Sequence, residues 1–300
     1  MDVFLSILKG ILEQGFIYGI LALGIYITYD ILDFPDLSVD GTFPLGAAVT
    51  AMLIVNGVNP WLAILAAFLS GAIAGLFTGI FHVVFRIKDL LSGIITMTGL
   101  YSINLMLAGG KAILPIANEK TIFNSGIAVL IPKAISRYST LIIIFICMLV
   151  LKFLLDWYLK TKSGLLLRAA GDNPSMVTSV AKSQGVMKII GLMICNGLAA
   201  VAGSVLCQQQ RNFDVNSGTG MLVMGLASVI IGMSIFGRTR WIRTTSMVIL
   251  GSVIYKACLS IALNLNFNPN YLKLLMALIF LIALVARDML GRGGKKYVKP

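Results

Sequence analysis

Long apolar runs separated by short polar stretches make up most of this chain. Each run is continuously apolar, as membrane-spanning helices are, and none shows the alternation expected of barrel strands. At about 20 residues per span, the pattern predicts an all-α, polytopic transmembrane helix bundle of about eight to ten helices, forming a single domain over residues 1–300. The candidate spans are 3–29, 41–55, 61–85, 90–109, 139–158, 187–208, 220–236, 241–265 and 271–285.

Composition supports the membrane assignment, because 58% of the 300 residues are hydrophobic and only 12% are charged. A soluble domain carries about 25% charged residues. The net charge of +12 does not indicate a nucleic-acid partner, because the basic residues cluster at the ends of apolar runs. These basic clusters lie in residues 86–89, 160–188, 238–243 and 287–299.

By the positive-inside rule, all four basic clusters face the cytoplasm. Even numbers of candidate spans separate them, which agrees with that placement. The predicted topology has an external loop over about 110–138, a cytoplasmic loop over about 160–187, and a basic cytoplasmic tail over about 288–300. The C-terminus is therefore predicted to be cytoplasmic, near the headgroups of membrane lipids.

Helix-breaking residues interrupt the apolar pattern near residues 30–45. Broken helices expose backbone polar groups, which are tolerated at membrane depth only within protein or beside water, so such segments often line a path. Ser38, Asp40 and Thr42 lie in this interruption and are candidates for a substrate pathway. An ordinary cytoplasmic loop is the alternative. The breakers are Pro35, Gly41 and Pro44.

Three amides are further pathway candidates. Asn104 and Asn196 lie in the middle of spans, where polar groups are costly and tend to face an interior. They could line a pathway or join helices by hydrogen bonds. Gln208 lies at the predicted external end of the pathway. There it either contacts a binding protein or is simply solvated.

A run in the fourth span combines small polar, thioether and aromatic side chains. Met97 and Tyr101 share one helical face at a spacing of four residues, beside Thr98. This face suits a ring-shaped or apolar substrate, and plain helix packing is the alternative.

No catalytic or metal-binding set is present in the sequence. It contains one histidine, no CxxC pair and no Walker lysine loop. We therefore expect a protein that is not an enzyme and binds no cofactor itself. If ATP drives it, a partner chain must bind the ATP and Mg²⁺.

The cytoplasmic segment after the fifth span contains the helix-start pattern Asp172-Asn173-Pro174, a capping side chain followed by proline. A helix from Pro174 would present Met176 and Val177 on a short apolar face. It is either an ordinary interfacial helix or a helix that docks into a cytoplasmic partner.

Several motifs, in chain order, resemble the permeases of ABC importers for branched-chain amino acids and ribose. The sequence at 91–105 and 270–279 most resembles a subgroup associated with tryptophan and tyrosine uptake. The matching motifs are LDFPDLSVDGTFPLGAAVTA at 32–51, GxxxRAxGDNPxM at 164–176, GLMICNGLAAVAGSVLCQQQ at 191–210 and GLASVIIG at 225–232.

This resemblance implies a homodimer in a prokaryotic cell membrane, paired with two ATPase subunits and supplied by an extracytoplasmic substrate-binding lipoprotein. A small solute, with an aromatic amino acid favoured, would move inward by alternating access. The segment after Arg168 would be the coupling helix, seated in a groove of the ATPase. The coupling residues so implied are Arg168, Gly171, Asp172, Asn173, Pro174, Met176 and Val177.

The main alternative is a secondary transporter or channel that works without an ATPase. Ion coupling would require intramembrane carboxylates. Only Glu13 and Asp156 lie within the candidate spans, so the sequence gives this alternative less support.

Overall fold

A computed structural model of the protein describes residues 2–125, 138–172, 184–237, 239, 241–264 and 271–292. Over these residues the structure is almost entirely helical. The helices are α1 (Asp2–Tyr26), α2 (Val39–Val55), α3 (Pro60–Val83), α4 (Asp89–Leu107), α5 (Ser139–Tyr158), α6 (Lys162–Asp172), α7 (Gln184–Gln210), α8 (Met221–Phe236), α9 (Thr244–Asn264) and α10 (Leu272–Arg292).

The described helices confirm the predicted polytopic bundle. Seven are long and apolar enough to cross a membrane, and two shorter apolar helices, Val39–Val55 and Leu274–Val285, accompany them. Each of the nine lies on one of the predicted apolar runs. The exposed side chains of α3, α4 and α5 are largely apolar, as expected of surfaces that face lipid.

Helix α7 lies at the centre of the bundle and is buried along most of its length. Glycines on α2 and α3 bring those helices into backbone contact with it. A β-carbon at Gly46 would collide with the carbonyl group of Ala200, and one at Gly75 with that of Leu192. Small residues permit such close approach where no hydrophobic effect drives helix association.

The interruption between α1 and α2 is shorter than predicted. α1 continues into a π-helical turn, Ile27–Ile31, and an irregular stretch precedes α2. Pro35 lies in that stretch, but the prediction that Gly41 and Pro44 interrupt the chain is wrong. Both lie inside a continuous α2.

Local contacts explain why α2 tolerates these two residues. Pro44 has no N–H to donate to the carbonyl group of Asp40, and the backbone of Gly218 packs against that same carbonyl. Gly41 lets α4 approach closely, since a β-carbon there would lie 2.9 Å from the Met97 backbone.

Two short strands join connections at one end of the bundle. β1 (Ile113–Pro115) pairs antiparallel with β2 (Asn212–Asp214), which follows α7 directly. A 3₁₀ turn, Val215–Gly218, then leads to α8. Both connections were predicted to be external, and the pairing places them at the same end. Residues 126–137 of the predicted external loop lie outside the described part.

Helix α6 was not predicted. It buries Leu167 and Ala170 and ends at Asp172. Asp172 is the last residue that the structure describes before 173–183. The predicted coupling helix itself lies in 173–183, outside the described residues.

Candidate functional site

A cavity of about 410 Å³ opens between α2, α4 and the turn that follows β2. Five predicted pathway residues line it: Asp40, Met97, Thr98, Tyr101 and Asn104. The rest of its lining is Gly41, Pro44, Ser102, Val215, Asn216 and Thr219. The structure thus brings together side chains that were predicted separately, from the interruption near residues 30–45 and from the fourth span. Their role in transport stays a prediction.

Asp40 lies where two helices begin. It is in the first turn of α2, and its carboxylate accepts hydrogen bonds from the backbone N–H groups of Gly220, at 3.0 Å, and Leu222, at 2.8 Å. Gly220 is the N-cap residue of α8, and Leu222 lies in its first turn. A helix N-terminus stabilises negative charge, so the fold holds Asp40 as an oriented carboxylate on the cavity wall.

Asn104 is fully buried at the contact between α2 and α4. Its Nδ2 donates to the carbonyl group of Gly41 at 3.1 Å. Its Oδ1 has no hydrogen-bond partner among the described residues. A buried acceptor without a donor is costly, so this amide has unused hydrogen-bonding capacity beside the cavity.

The α4 wall of the cavity combines Met97 and Tyr101 with the polar residues Thr98, Ser102 and Asn104. Met97 and Tyr101 are four residues apart on one face, and 48% of Tyr101 is exposed. The Thr98 hydroxyl donates to the carbonyl group of Ile94 at 2.8 Å, which satisfies its donor within the helix. The cavity therefore has acceptors at Asp40 and Asn104 and a thioether and an aromatic ring at Met97 and Tyr101.

The other candidates from the interrupted segment form a separate buried network centred on Asn196. Its Oδ1 accepts from Ser38, at 3.0 Å, and from Thr42, at 2.8 Å. Its Nδ2 donates to the Asp36 carboxylate at 2.7 Å. All four residues are fully buried, and none of them lines the cavity.

Asp36 was not among the predicted site residues. Burial raises the pKa of its carboxyl group, while hydrogen bonds from Ser38 and Asn196 oppose that rise. The local signal was an Asx turn, because the Ser38 N–H donates to Asp36 Oδ1 at 2.9 Å just after a proline. The contact with Asn196 spans 160 residues, so it could not be read from local sequence.

Gln208 lies elsewhere, near the strand-paired end of the bundle. Its side chain accepts from the backbone N–H of Ile122 at 3.0 Å and donates to the carbonyl group of Pro60 at 3.5 Å. It joins α7 to the connection after β1 and does not line the cavity.

The described part of the predicted coupling segment exposes basic side chains, including Lys160 and Arg168. Arg168 shares a cleft of about 200 Å³ with Lys160 and Arg243, beside Asp156. The backbone of Gly171 packs against the carbonyl group of Ile31, which attaches α6 to the π-helical turn. The structure does not describe Asn173, Pro174, Met176 or Val177.

Comparison with known proteins assigns the family. Residues 7–284 match the family described as "Branched-chain amino acid transport system / permease component". The chain belongs to this permease family. It is thus a multi-pass membrane transport subunit and not a catalytic enzyme.

Relatives of this permease span several solutes. It is 42% identical to a "Tyrosine transport system permease protein" of Clostridioides difficile, over 95% of this chain and 92% of that protein. It is 24% identical to the ribose import permease protein RbsC of Escherichia coli, over 94% and 85%. It is 28% identical to a probable branched-chain amino acid permease, LivH, of Methanocaldococcus jannaschii, over 75% and 74%. No solved structure matches the chain.

Proposed function

We propose that this permease is the membrane-spanning subunit of an ATP-driven importer for an amino acid, with an aromatic one favoured. The observation that carries the proposal is the 42% identity to a tyrosine transport system permease over nearly the full length of both chains. The cavity supports it, since Met97 and Tyr101 offer a thioether and an aromatic ring to a substrate ring.

ATP hydrolysis belongs to a partner in this proposal, because the sequence has no Walker lysine loop. Two copies of an ATPase would bind ATP and Mg²⁺ and contact the basic end of the bundle. Arg168 and Lys160 are exposed at that end, which the positive-inside rule makes cytoplasmic together with the C-terminus. A substrate-binding lipoprotein would deliver the solute to the opposite end.

A homodimer completes the proposed assembly in the prokaryotic cell membrane. The cavity is open at the surface of a single copy, along exposed residues of α4 such as Thr98 and Ser102. Polar groups on a face turned to lipid are costly. A second copy facing this side of α4 would enclose a path between the two chains and cover those groups.

Transport would proceed by alternating access, with closure of the ATPases moving residues 172–181 and shifting the helices between outward and inward states. Replacing residues 172–176 with a Gly/Ser stretch should then abolish assembly with the ATPase and leave membrane insertion intact. Affinity capture from membranes, with the inserted chain quantified alongside, tests this. Undiminished capture of the ATPase would show that docking occurs elsewhere.

The structure adds one observation in favour of a second candidate, a secondary transporter or channel. Asp36 is buried in the bundle and Asp40 lies in the first turn of α2, although sequence analysis had placed both outside the spans. Buried carboxylates can couple ion movement to transport. This candidate requires no ATPase.

Co-purification separates the two candidates. The chain is extracted from its native host in mild detergent, and proteins that accompany it are identified by mass spectrometry. The importer predicts an ATPase with Walker motifs at near-equal amount. Repeated recovery of the folded chain without any such ATPase would favour the secondary transporter.

A further inference from the structure

Two carboxyl groups at the start of α2 have no cationic partner within the described residues. Asp40 lines the cavity, and Asp36, which precedes α2, is fully buried. The ion pairs found in the described part join other residues and leave both carboxylates without a cationic partner. A charge held away from water and without a counter-charge is costly.

The hydrogen bonds that Asp40 does make leave it able to accept more. Two backbone N–H groups at the start of α8 bind its carboxylate, and an ionised carboxylate has about four acceptor positions. Asp40 is only partly buried. The N–H groups therefore fix the direction of the carboxylate and leave acceptor positions for a ligand in the cavity.

Asn104 supplies a second, independent acceptor. It lines the same cavity, is fully buried, and has an Oδ1 with no donor among the described residues. Nδ2 of the same amide donates to the Gly41 carbonyl group. Flipping the amide would lose that hydrogen bond and would place Oδ1 against a carbonyl oxygen, which cannot donate. The polar side of the cavity thus combines a partly buried carboxylate with a buried amide oxygen, and a cationic donor would satisfy both.

From these contacts we propose that Asp40 and Asn104 form an ammonium-binding subsite, so that the permease itself selects solutes with a primary amine. The inference rests on the proposed function, in which the solute is an amino acid. The apolar body of the solute would lie against Met97 and Tyr101. A cavity of about 410 Å³ falls within the range of about 300–1,000 Å³ typical of small-molecule sites.

An inorganic cation is the other source of positive charge. The described residues contain no group of three or more His, Cys, Asp or Glu side chains able to hold a metal ion. Met97 and Tyr101 on the cavity wall favour an organic ammonium over Na⁺.

The test measures equilibrium binding to the full-length permease, purified without partners into lipid nanodiscs. Three probes share the phenol ring: L-tyrosine, tyramine, which lacks the carboxylate, and 3-(4-hydroxyphenyl)propionate, which lacks the amine. Charged hydrogen bonds are the strong ones, so we expect both amines to bind at least about tenfold more tightly than the propionate. Equal binding of the propionate, or no binding of any probe, would overturn the inference.

Two matched variants locate the subsite. Asp40→Asn should weaken tyrosine binding at least about tenfold. Asp214→Asn is the control, because Asp214 also accepts a backbone N–H, from Asn216 at 2.8 Å, but does not line the cavity. We expect it to bind tyrosine like the wild type. If Asp40→Asn does not fold, the three probes still decide the question on the unaltered chain.

The last part of the binding test exchanges NaCl for KCl at constant ionic strength. Tyrosine binding should be unchanged. Competition between Na⁺ and tyrosine would identify an inorganic cation site and overturn the ammonium assignment. ATP-dependent uptake is measured separately, so a failed subsite and a failed importer assignment give different results.

Discussion

Replacing Asn196 with leucine removes the centre of the buried polar network at similar side-chain size. The Asp36 carboxylate loses a hydrogen bond of 2.7 Å and the Ser38 hydroxyl loses one of 3.0 Å. Thr42 is affected less, because its hydroxyl also donates to the carbonyl group of Val39 at 3.3 Å. A buried polar group left without its partner costs about 1–3 kcal/mol. Two such groups predict a loss of about 2–6 kcal/mol, toward the lower end because Asp36 keeps its hydrogen bond from the Ser38 N–H.

The assay is reversible unfolding of the purified chain in mixed micelles, followed by far-UV circular dichroism as the denaturing detergent increases. A double variant, Thr50→Val with Ser204→Ala, is the control at the same interface of α2 and α7. It removes both partners of a buried hydroxyl pair 2.6 Å apart, which is close to neutral when neither is left unpaired. A free energy of unfolding for the Asn196 variant within 1 kcal/mol of the control would refute this reasoning.

Two further predictions concern packing and charge. Gly46→Val should prevent stable folding, because its side chain meets the Ala200 carbonyl group, whereas Gly99→Val should fold, since nothing lies within 4 Å of a β-carbon there. Size-exclusion profiles of fluorescently tagged variants test this pair, and equal profiles would contradict it. Asp156→Ala leaves the buried Lys152 ammonium without its partner 3.1 Å away, and should cost about 3 kcal/mol in the same unfolding assay. A loss under 1 kcal/mol would show that water already solvates that lysine.

Sequence reasoning located the spans well because a bilayer requires continuous apolar helices, which one sequence displays directly. It failed where helix formation depends on contacts. Helix α6 has only a short apolar face, and its burial of Leu167 and Ala170 arises from packing on distant residues. Pro44 looked like a break, and only the approach of Gly218 shows how α2 accommodates it.

The candidate site was predictable in part for the same reason. Helical spacing put Met97 and Tyr101 on one face, and the cavity includes both. Spacing could not decide between a pathway role and a packing role for buried amides. That depends on partners far away in the chain: Asn196 is held by residues about 160 positions away, while Asn104 has an oxygen with no donor among the described residues. Asp36 was not predicted as a site residue because a short acidic stretch usually indicates a solvated loop.

Uptake by proteoliposomes tests the central proposal most directly. The permease is reconstituted with its co-purified ATPase and supplied with the binding protein, and entry of labelled tyrosine is followed with or without ATP on the ATPase side. The account predicts concentrative uptake that requires ATP and is lost when the Walker lysine of the ATPase is replaced. Tyrosine uptake by the permease alone, driven by a sodium or proton gradient and indifferent to ATP, would contradict it.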